Sequence, residues 1–289
     1  MKTERILHVV TELSQQATGA LGFGYMDLTT GETCCLNGDT WFPTASVFKI
    51  FVLTELYRQI QQGILLETQT LKATPENAAL GSGALKRMCH GVEMSLHDHA
   101  VLMMMLSDNT SSDMLLDLVG KENIHEHIIR PLGMDNTRID IGCTEMIQLS
   151  KRTTDRRMSE FFLCQTEKSD YTTPQDMLKL LRALYEGQFL TPENNEKVLS
   201  MMKPYPQYNR LEKYLPCGTR IARKTGSLDR VANDVGIVFT EKGAYAITAF
   251  YNGNTASREE YDREDKRHLA EELIAKVSQA VYQIHMDMI

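Results

Sequence analysis

The chain has 289 residues and a formal net charge of −7, with 42% hydrophobic and 24% charged residues. This length allows one large domain or two modest ones, and either can bury a sizeable core. The acidic balance argues against a nucleic-acid partner, because phosphate binding needs a basic face. No apolar run is long enough to span a bilayer, so no membrane association is expected.

The N-terminal stretch MKTERILHVVTEL does not have the pattern of an export signal, because Glu4 and His8 interrupt the apolar part. Residues 5–14 are instead predicted to form a short amphipathic helix. We therefore expect a cytoplasmic protein, or a periplasmic or secreted one if a native leader has been removed. The six cysteines match no metal cluster or disulfide scaffold by spacing, and free thiols are expected.

Strand patterns lie near both ends of the chain, and helical patterns lie between them. Residues 19–38 predict a hairpin in which Gly22 and Gly24 mark close backbone approach, and the last quarter predicts three strands and a final helix over about 264–285. Helices are predicted over three further segments with apolar residues at helical spacing: 46–63, 95–106 and 173–187. The polar, poorly periodic stretch 137–171 is predicted to be an extended loop.

This order predicts an α/β (α+β) fold in one catalytic domain over residues 1–289. An antiparallel sheet built from both chain ends and flanked by helices would occupy about 1–45 and 205–289. An inserted all-helical part would occupy about 46–204.

Ser46 and Lys49 begin the helix predicted over 46–63. A serine hydroxyl is a weak nucleophile and needs a base beside it. A lysine three residues later on a helix lies on the same face, within reach of the serine. The pair also fits a plain helix start, since a serine followed three residues later by a lysine is common by chance.

Two more segments carry candidate chemistry. Ser107-Asp108-Asn109 follows an apolar helix, where these residues are typical helix caps, but a hydroxyl could also relay a proton and an amide could bind a carbonyl. Lys224-Thr225-Gly226-Ser227 precedes a strand. Its charge and hydroxyls could hold a carboxylate, Gly226 would admit a substrate backbone, and the amides of Ser227 and Ser46 could form an oxyanion hole. Both segments also fit ordinary caps and strand ends.

The three motifs in this order are typical of class A β-lactamases and penicillin-binding proteins. The chain resembles the class A β-lactamase family over nearly its whole length, including AALGSGALKRM (78–88), PLGMDNTRID (131–140) and TTPQDMLKLL (172–181). The resemblance implies a β-lactamase/transpeptidase-like fold that hydrolyses the β-lactam amide through a Ser46 acyl-enzyme. It requires no cofactor, and a monomer acting on a small β-lactam or D-alanyl-type substrate is expected.

The resemblance also implies a role for each motif residue. Ser46 would be the acylated nucleophile and Lys49 its proton acceptor, while Ser107 would relay a proton to the lactam nitrogen. Asn109 would bind the substrate amide. The substrate carboxylate and the oxyanion would be held by the third motif: Lys224, Thr225, Gly226 and Ser227.

The loop that carries the family's deacylating glutamate departs from the pattern. Aligning residues 137–140 with the family text puts Cys143 at the glutamate position, and Glu145 lies two residues later. If Glu145 is the base, the asparagine expected four residues on is replaced by Leu149. Either Glu145 activates water in a remodelled loop, or the base is absent and the acyl-enzyme stalls.

Two further features depart from the family pattern, and other functions also fit the motifs. The family's carboxylate-binding arginine aligns with Asn233, with Arg230 nearby, and the positions of a common family disulfide are Leu53 and Ala100. The histidines at 97, 99, 125 and 127 complete no ligand set, so no metal site is predicted. The alternatives to a β-lactamase are a serine peptidase or esterase acting on a non-lactam substrate, and a penicillin-binding or sensing protein that deacylates slowly.

Overall fold

An antiparallel sheet assembled from both ends of the chain forms the centre of the molecule. The computed structural model describes residues 1–88, 91–152, 167–202, 209–253 and 266–287. The strands in chain order are β1 Ala20–Asp27, β2 Thr33–Leu36, β3 Phe42–Pro43, β4 Thr70–Ala73, β5 Val92–Ser95, β6 Arg138–Ile139, β7 Asp170–Thr172, β8 Arg220–Leu228, β9 Val231–Thr240 and β10 Gly243–Asn252. The main sheet has five strands in the order β2-β1-β10-β9-β8, so β8 lies at one edge.

The helices of the described residues cover both faces of this sheet. They are α1 Lys2–Ser14, α2 Lys49–Gln61, α3 Leu96–Met105, α4 Asn109–Val119, α5 Lys121–Ile124, α6 Cys143–Arg152, α7 Pro174–Glu186, α8 Pro192–Met201 and α9 Lys266–His285. The predicted hairpin and the predicted helices at 46–63, 95–106 and 173–187 are confirmed within a few residues at each end. None of these helices combines the length and the apolar character that a bilayer crossing requires.

Two apolar layers hold the sheet between the terminal helices and the middle of the chain. Val10 of α1 and Ile274 of α9 pack with Phe23 on one face. Phe51 of α2 and Leu178 of α7 belong to the larger core that contains Phe250 on the other face. Alternation along each strand sends successive side chains to opposite layers, which is why both cores draw on the same strands.

The two glycines of β1 allow the second layer to pack closely on the strand, as the sequence predicts. A Cβ at Gly22 would lie 2.3 Å from the ring of Phe42, and one at Gly24 would lie 2.9 Å from Leu178. Since real side chains do not approach so closely, only glycine admits these neighbours. The close approach fixes β3, and with it the chain that leads into Ser46.

Two sequence predictions are wrong. The stretch predicted as an extended loop over 137–171 contains β6, α6 and β7, and only residues 153–166 lie outside the described part of the chain. Its polar residues obscured the helix, because α6 lies near the surface and buries only part of one face. The middle of the chain is also not all-helical. It contains the β4–β5 pair and contributes β6 and β7 to a sheet with β3.

Candidate active site

A cavity of about 340 Å³ opens where the middle of the chain meets the β8 edge of the main sheet. The lining side chains come from every part of the chain that the sequence singled out. Five of the predicted site residues line it: Ser46, Ser107, Asn109, Thr225 and Ser227. The structure therefore brings the three motifs together, although Ser46 and Ser227 are 181 positions apart in the sequence.

Ser46 lies in a 3₁₀ turn, Ala45–Phe48, immediately before α2. The turn is tied to the main sheet, because the Asn233 amide on β9 donates to the carbonyls of Pro43 and Thr44 at 2.8 and 3.1 Å. Ala45 has a φ of 45°, which is costly for a residue with a side chain. The strained turn presents Ser46, which is partly exposed, to the cavity.

Lys49 is the first residue of α2 and is fully buried beneath the cavity. Its amino group donates to the carbonyl of Ser107 at 2.9 Å, to the Ser107 hydroxyl at 3.1 Å and to Asn109 Oδ1 at 2.9 Å. Burial lowers the pKa of Lys49, because the charged form loses its hydration. A lowered pKa is what a lysine needs to accept a proton near neutral pH.

The second motif serves as a helix cap and also places polar groups at the cavity. Asp108 caps α4 through Ser111 N at 3.0 Å, and its other oxygen binds Ala84 N at 2.6 Å. These bonds fix the 81–85 loop against the start of α4. Ser107 lies just before this cap and has a φ of 53°, in the left-handed region. The motif can therefore cap α4 and also present a hydroxyl at the cavity.

Lys224 is the second lysine that contacts Ser107. Its amino group donates to the Ser107 hydroxyl at 3.1 Å and to the carbonyl of Thr225 at 3.0 Å. Burial and the neighbouring charge of Lys49 lower the pKa of Lys224 well below its ordinary value. The Ser107 hydroxyl thus lies between two buried lysines, where a proton can be passed in either direction.

Gly226 lets β8 lie directly against the Ser46 turn. A Cβ at this position would come within 2.8 Å of the Thr44 carbonyl and 3.2 Å of Ser46 N. Gly226 is paired with Asn233 in the β8–β9 register. Both residues of this pair therefore contact the Ser46 turn. This contact sets the spacing between Ser46 and the β8 edge.

Arg210 is a supporting residue that the sequence reasoning missed. It is 2% exposed and donates to the carbonyls of Gly226 and Asn233, both at 2.8 Å. It also donates to Ser227 Oγ at 2.6 Å. A guanidinium has only donors, so the Ser227 hydroxyl must accept here and its own hydrogen remains free to point into the cavity.

No apolar periodicity surrounds Arg210 in the sequence, so the sequence offered no signal for it. Asn233, which aligns with the family's carboxylate-binding arginine, and the nearby Arg230 have other structural roles. Asn233 is fully buried and ties the Ser46 turn to β9, and Arg230 lies in the tight turn between β8 and β9 with a φ of 62°.

Cys143 begins α6 and is part of the cavity wall. Its backbone N–H donates to Asp113 Oδ1 at 2.6 Å, and its thiol interacts with the Lys49 amino group. Burial raises the pKa of this thiol to about 12, so Cys143 is uncharged near neutral pH. Lys49 therefore receives no counter-charge from the α6 wall.

Glu145 is not brought into the cavity. It is exposed on α6 and is absent from the described residues that line the cavity. Burial raises the pKa of the Asp117 carboxyl on α4, and the charge of the Glu145 carboxylate raises it further. The α6 side chains that do face the cavity are Cys143, Met146 and Ile147, and none of them ionises near neutral pH.

The described residues contain no group of three or more His, Cys, Asp or Glu side chains arranged to hold a metal ion. Of the histidines, His99 is fully buried and contacts Ser111 Oγ at 3.0 Å and the Leu71 carbonyl at 3.1 Å. Of the cysteines, Cys89 and Cys164 lie outside the described residues.

Known proteins resemble this chain over nearly its whole length. The model of the "Beta-lactamase enzyme family" matches residues 4–285. The chain belongs to the β-lactamase enzyme family. Its members are hydrolases that act on the β-lactam amide. Among curated relatives, beta-lactamase PSE-4 of Pseudomonas aeruginosa is 23% identical over 98% of this chain and 91% of that protein.

Solved structures of this family share the fold. A β-lactamase from Sphaerobacter thermophilus superposes with a TM-score of 0.81 and 27% identity, covering 99% of this chain and 98% of that one. PBP-A superposes with a TM-score of 0.80 and 23% identity, covering 99% and 97%. A point variant of PBP-A has been solved as an acyl-enzyme complex with penicillin G. The fold is thus a class A β-lactamase fold, and the family assignment made from the three motifs is confirmed.

A buried carboxyl anchors the chain that leads into α6. Asp170 of β7 is 2% exposed and accepts from the N–H groups of Asp140 and Ile141 at 2.7 and 2.9 Å. Its second oxygen is buried without a hydrogen-bond partner. Burial raises the pKa of Asp170 to about 8, so the folded protein holds this proton near neutral pH.

We therefore expect Asp170 to make a contribution to the free energy of unfolding that decreases as the pH rises from about 4 to about 8. Unfolded Asp170, with its ordinary pKa of 3.8, loses the proton across this range while the folded carboxyl keeps it. One such group contributes at most about 1.4 kcal/mol per pH unit. Urea unfolding at several pH values, for wild type, Asp170→Asn and the exposed control Asp135→Asn, measures it. A difference between wild type and Asp170→Asn that does not change with pH would contradict this assignment.

Proposed function

We propose that this chain opens β-lactam amides by forming an ester on Ser46. The observation that carries the proposal is the hydrogen-bonded series Lys49–Ser107–Lys224, in which both lysines are buried and Ser107 lines the same cavity as Ser46. A serine at the cavity, a buried lysine with a lowered pKa and a hydroxyl hydrogen-bonded to that lysine are the groups that acyl transfer needs. All of these groups come from one chain, so the proposal needs no second copy.

Acylation starts with attack of Ser46 Oγ on the lactam carbonyl. The neutral form of Lys49 takes the Ser46 proton, either directly or through the Ser107 hydroxyl, since no described hydrogen bond joins Lys49 Nζ to Ser46 in the free protein. Apo geometry often tightens only when substrate binds. The N–H groups of Ser46 and Ser227 receive the developing oxyanion.

Ring opening requires a proton on the lactam nitrogen. Ser107 supplies it, because its hydroxyl accepts from Lys49 and Lys224 and can be reprotonated by either. The substrate carboxylate lies toward Lys224, Thr225 and Ser227. The hydrogen of Ser227 is not used by Arg210, so the hydroxyl can donate it to that carboxylate.

The side chains of the α6 wall favour a slow second half-reaction, which is the hydrolysis of the Ser46 ester. Hydrolysis of the ester needs a base that activates water. The α6 side chains at the cavity are a neutral thiol and two apolar groups, and Glu145 is exposed elsewhere. We therefore propose that the acyl-enzyme is long-lived, as in a penicillin-binding or sensing protein. D-alanyl peptides, which share the acyl centre and the carboxylate, are the second substrate class.

Stopped-flow mixing with a chromogenic cephalosporin tests the proposal. The expected trace is a burst of ring opening equal in amount to the enzyme, followed by a phase at least about 100-fold slower, because removing a general base costs about that much or more. A linear trace with rapid multiple turnover would refute slow deacylation. A trace no faster than buffer would refute the proposed reaction.

A further inference from the structure

A second cavity, of about 460 Å³, lies outside the active site and shares no lining residue with it. We call it the charged cavity, because every described side chain that lines it can carry a charge: Lys121, Glu122, His125, Glu126, Arg130, Arg138, Asp140 and Lys168. Cavities that bind small molecules are ordinarily lined by apolar groups with a few polar ones. The charged cavity offers no such apolar contact, so it must recognise an occupant by charge and hydrogen bonds.

A π turn over His125–Ile129 builds one wall of the charged cavity. The Arg130 N–H donates to the His125 carbonyl at 2.9 Å, a bond that joins residues five positions apart. Residues five apart differ by about 140° around an α-helix, whereas the wider π turn brings them toward the same side. His125 and Arg130 therefore line the same cavity. Single π turns in helices are frequent at functional sites.

The carboxylates of the charged cavity are mostly neutralised by its arginines. Four basic side chains, two lysines and two arginines, and three carboxylates line it. Two of the carboxylates already form ion pairs with the arginines, as Glu126–Arg130 and Asp140–Arg138. The remaining charges are those of two lysines and of Glu122, so the balance favours an anion over a cation.

Several donors of the charged cavity are not used within the described part of the chain. Lys121 is half-buried and makes no hydrogen bond or ion pair with another described residue. Arg138 uses Nε for its carboxylate partner and Nη2 for the Glu167 carbonyl at 2.8 Å, which leaves Nη1 without a described partner. Arg130 binds its carboxylate through Nη1 alone. These three side chains come from α5, the end of the π turn and β6, and they can donate to one shared ligand.

We propose that the charged cavity binds a small anion that carries two or more adjacent phosphate groups. A guanidinium can bind phosphate oxygens with two parallel donors, and an ammonium adds a point charge. A ligand with one charge would contact only part of a set spread over three elements, whereas a diphosphate has charged oxygens at both ends. A metal ion is a poorer occupant, because the described residues contain no group of three or more His, Cys, Asp or Glu side chains arranged to hold one. This site is independent of the Ser46 chemistry.

Inorganic pyrophosphate is the probe that tests the site, with inorganic phosphate as the ligand that has only one phosphate group. Isothermal titration calorimetry without divalent metal measures both affinities at constant ionic strength, because salt screens such charges. The proteins are wild type, Lys121→Gln, Arg138→Gln and a matched control, Lys72→Gln. Lys72 is exposed on β4 and does not line the charged cavity. Lys121→Gln removes no hydrogen bond or ion pair between described residues, so the test does not depend on whether Arg138→Gln folds.

Wild type is expected to bind one pyrophosphate, and to bind inorganic phosphate at least about tenfold more weakly. Lys121→Gln and Arg138→Gln should each weaken pyrophosphate binding by about tenfold or more, since a hydrogen bond to a charged group is worth about that factor. Lys72→Gln should bind as wild type does. No saturable binding by wild type, or equal affinity in wild type and Lys121→Gln, would overturn the site. Equal affinities for phosphate and pyrophosphate would overturn the ligand class.

Discussion

Ser46→Ala is expected to lower the rate of β-lactam opening by at least about 10⁴-fold and to prevent any covalent adduct with a penicillin. Removing the nucleophile of a serine hydrolase costs about 10⁶-fold in turnover. The strained turn and the Lys49–Ser107–Lys224 chain remain in place, but they have no hydroxyl to activate. Ring opening of a chromogenic cephalosporin and intact-protein mass measure the two effects.

Ser200→Ala is the matched control, because Ser200 is exposed on α8 and donates only to the Lys197 carbonyl within its own helix. It should react at the wild-type rate. A melting temperature near that of wild type shows that Ser46→Ala still folds. Unchanged ring opening by folded Ser46→Ala would mean that another group is the nucleophile, and the role assigned to the 3₁₀ turn would be wrong.

Cys143→Glu is expected to change the two half-reactions in opposite directions. A carboxylate on the α6 wall would supply the missing base, and general-base catalysis is worth about 10²- to 10⁴-fold. The same charge beside the buried amino group would favour protonated Lys49 and raise its pKa, so acylation near neutral pH should become slower. Single-turnover kinetics with a penicillin, followed by mass, separate the two rates.

Cys143→Gln is the control, since it has nearly the size of glutamate but no basic oxygen. It should leave the acyl-enzyme as persistent as in wild type. Equal acceleration of deacylation by both variants would show that room for water, and not a base, limits the wild type. No acceleration by Cys143→Glu would show that position 143 is not where the base is missing.

Much of the site could be predicted from the sequence because its residues lie in short local motifs. Ser46 and Lys49 are three residues apart at a helix start, and Ser107 to Asn109 form one helix cap. Patterns of this kind survive in the fold because the same local hydrogen bonds that cap a helix also aim the side chains. The strand order at both chain ends likewise predicted the mixed fold.

The remaining features depend on packing between distant segments. Arg210 acts through carbonyls of β8 and β9, which no spacing in the sequence reveals. The polar composition of 137–171 concealed α6, which lies near the surface and buries only part of one face. Whether Glu145 or Cys143 faces the lysines is a question of helix rotation, and a helix turns by about 200° over two residues.

The persistence of the wild-type adduct shows whether this active site lacks a deacylating base. The protein is mixed with excess penicillin, freed of unbound ligand, and its intact mass is followed over time beside Glu145→Gln. We expect both proteins to carry one acyl group and to lose it at the same slow rate, because Glu145 is exposed away from the cavity. An adduct that clears rapidly from wild type but persists in Glu145→Gln would contradict it, and would place the deacylating base on Glu145 after all.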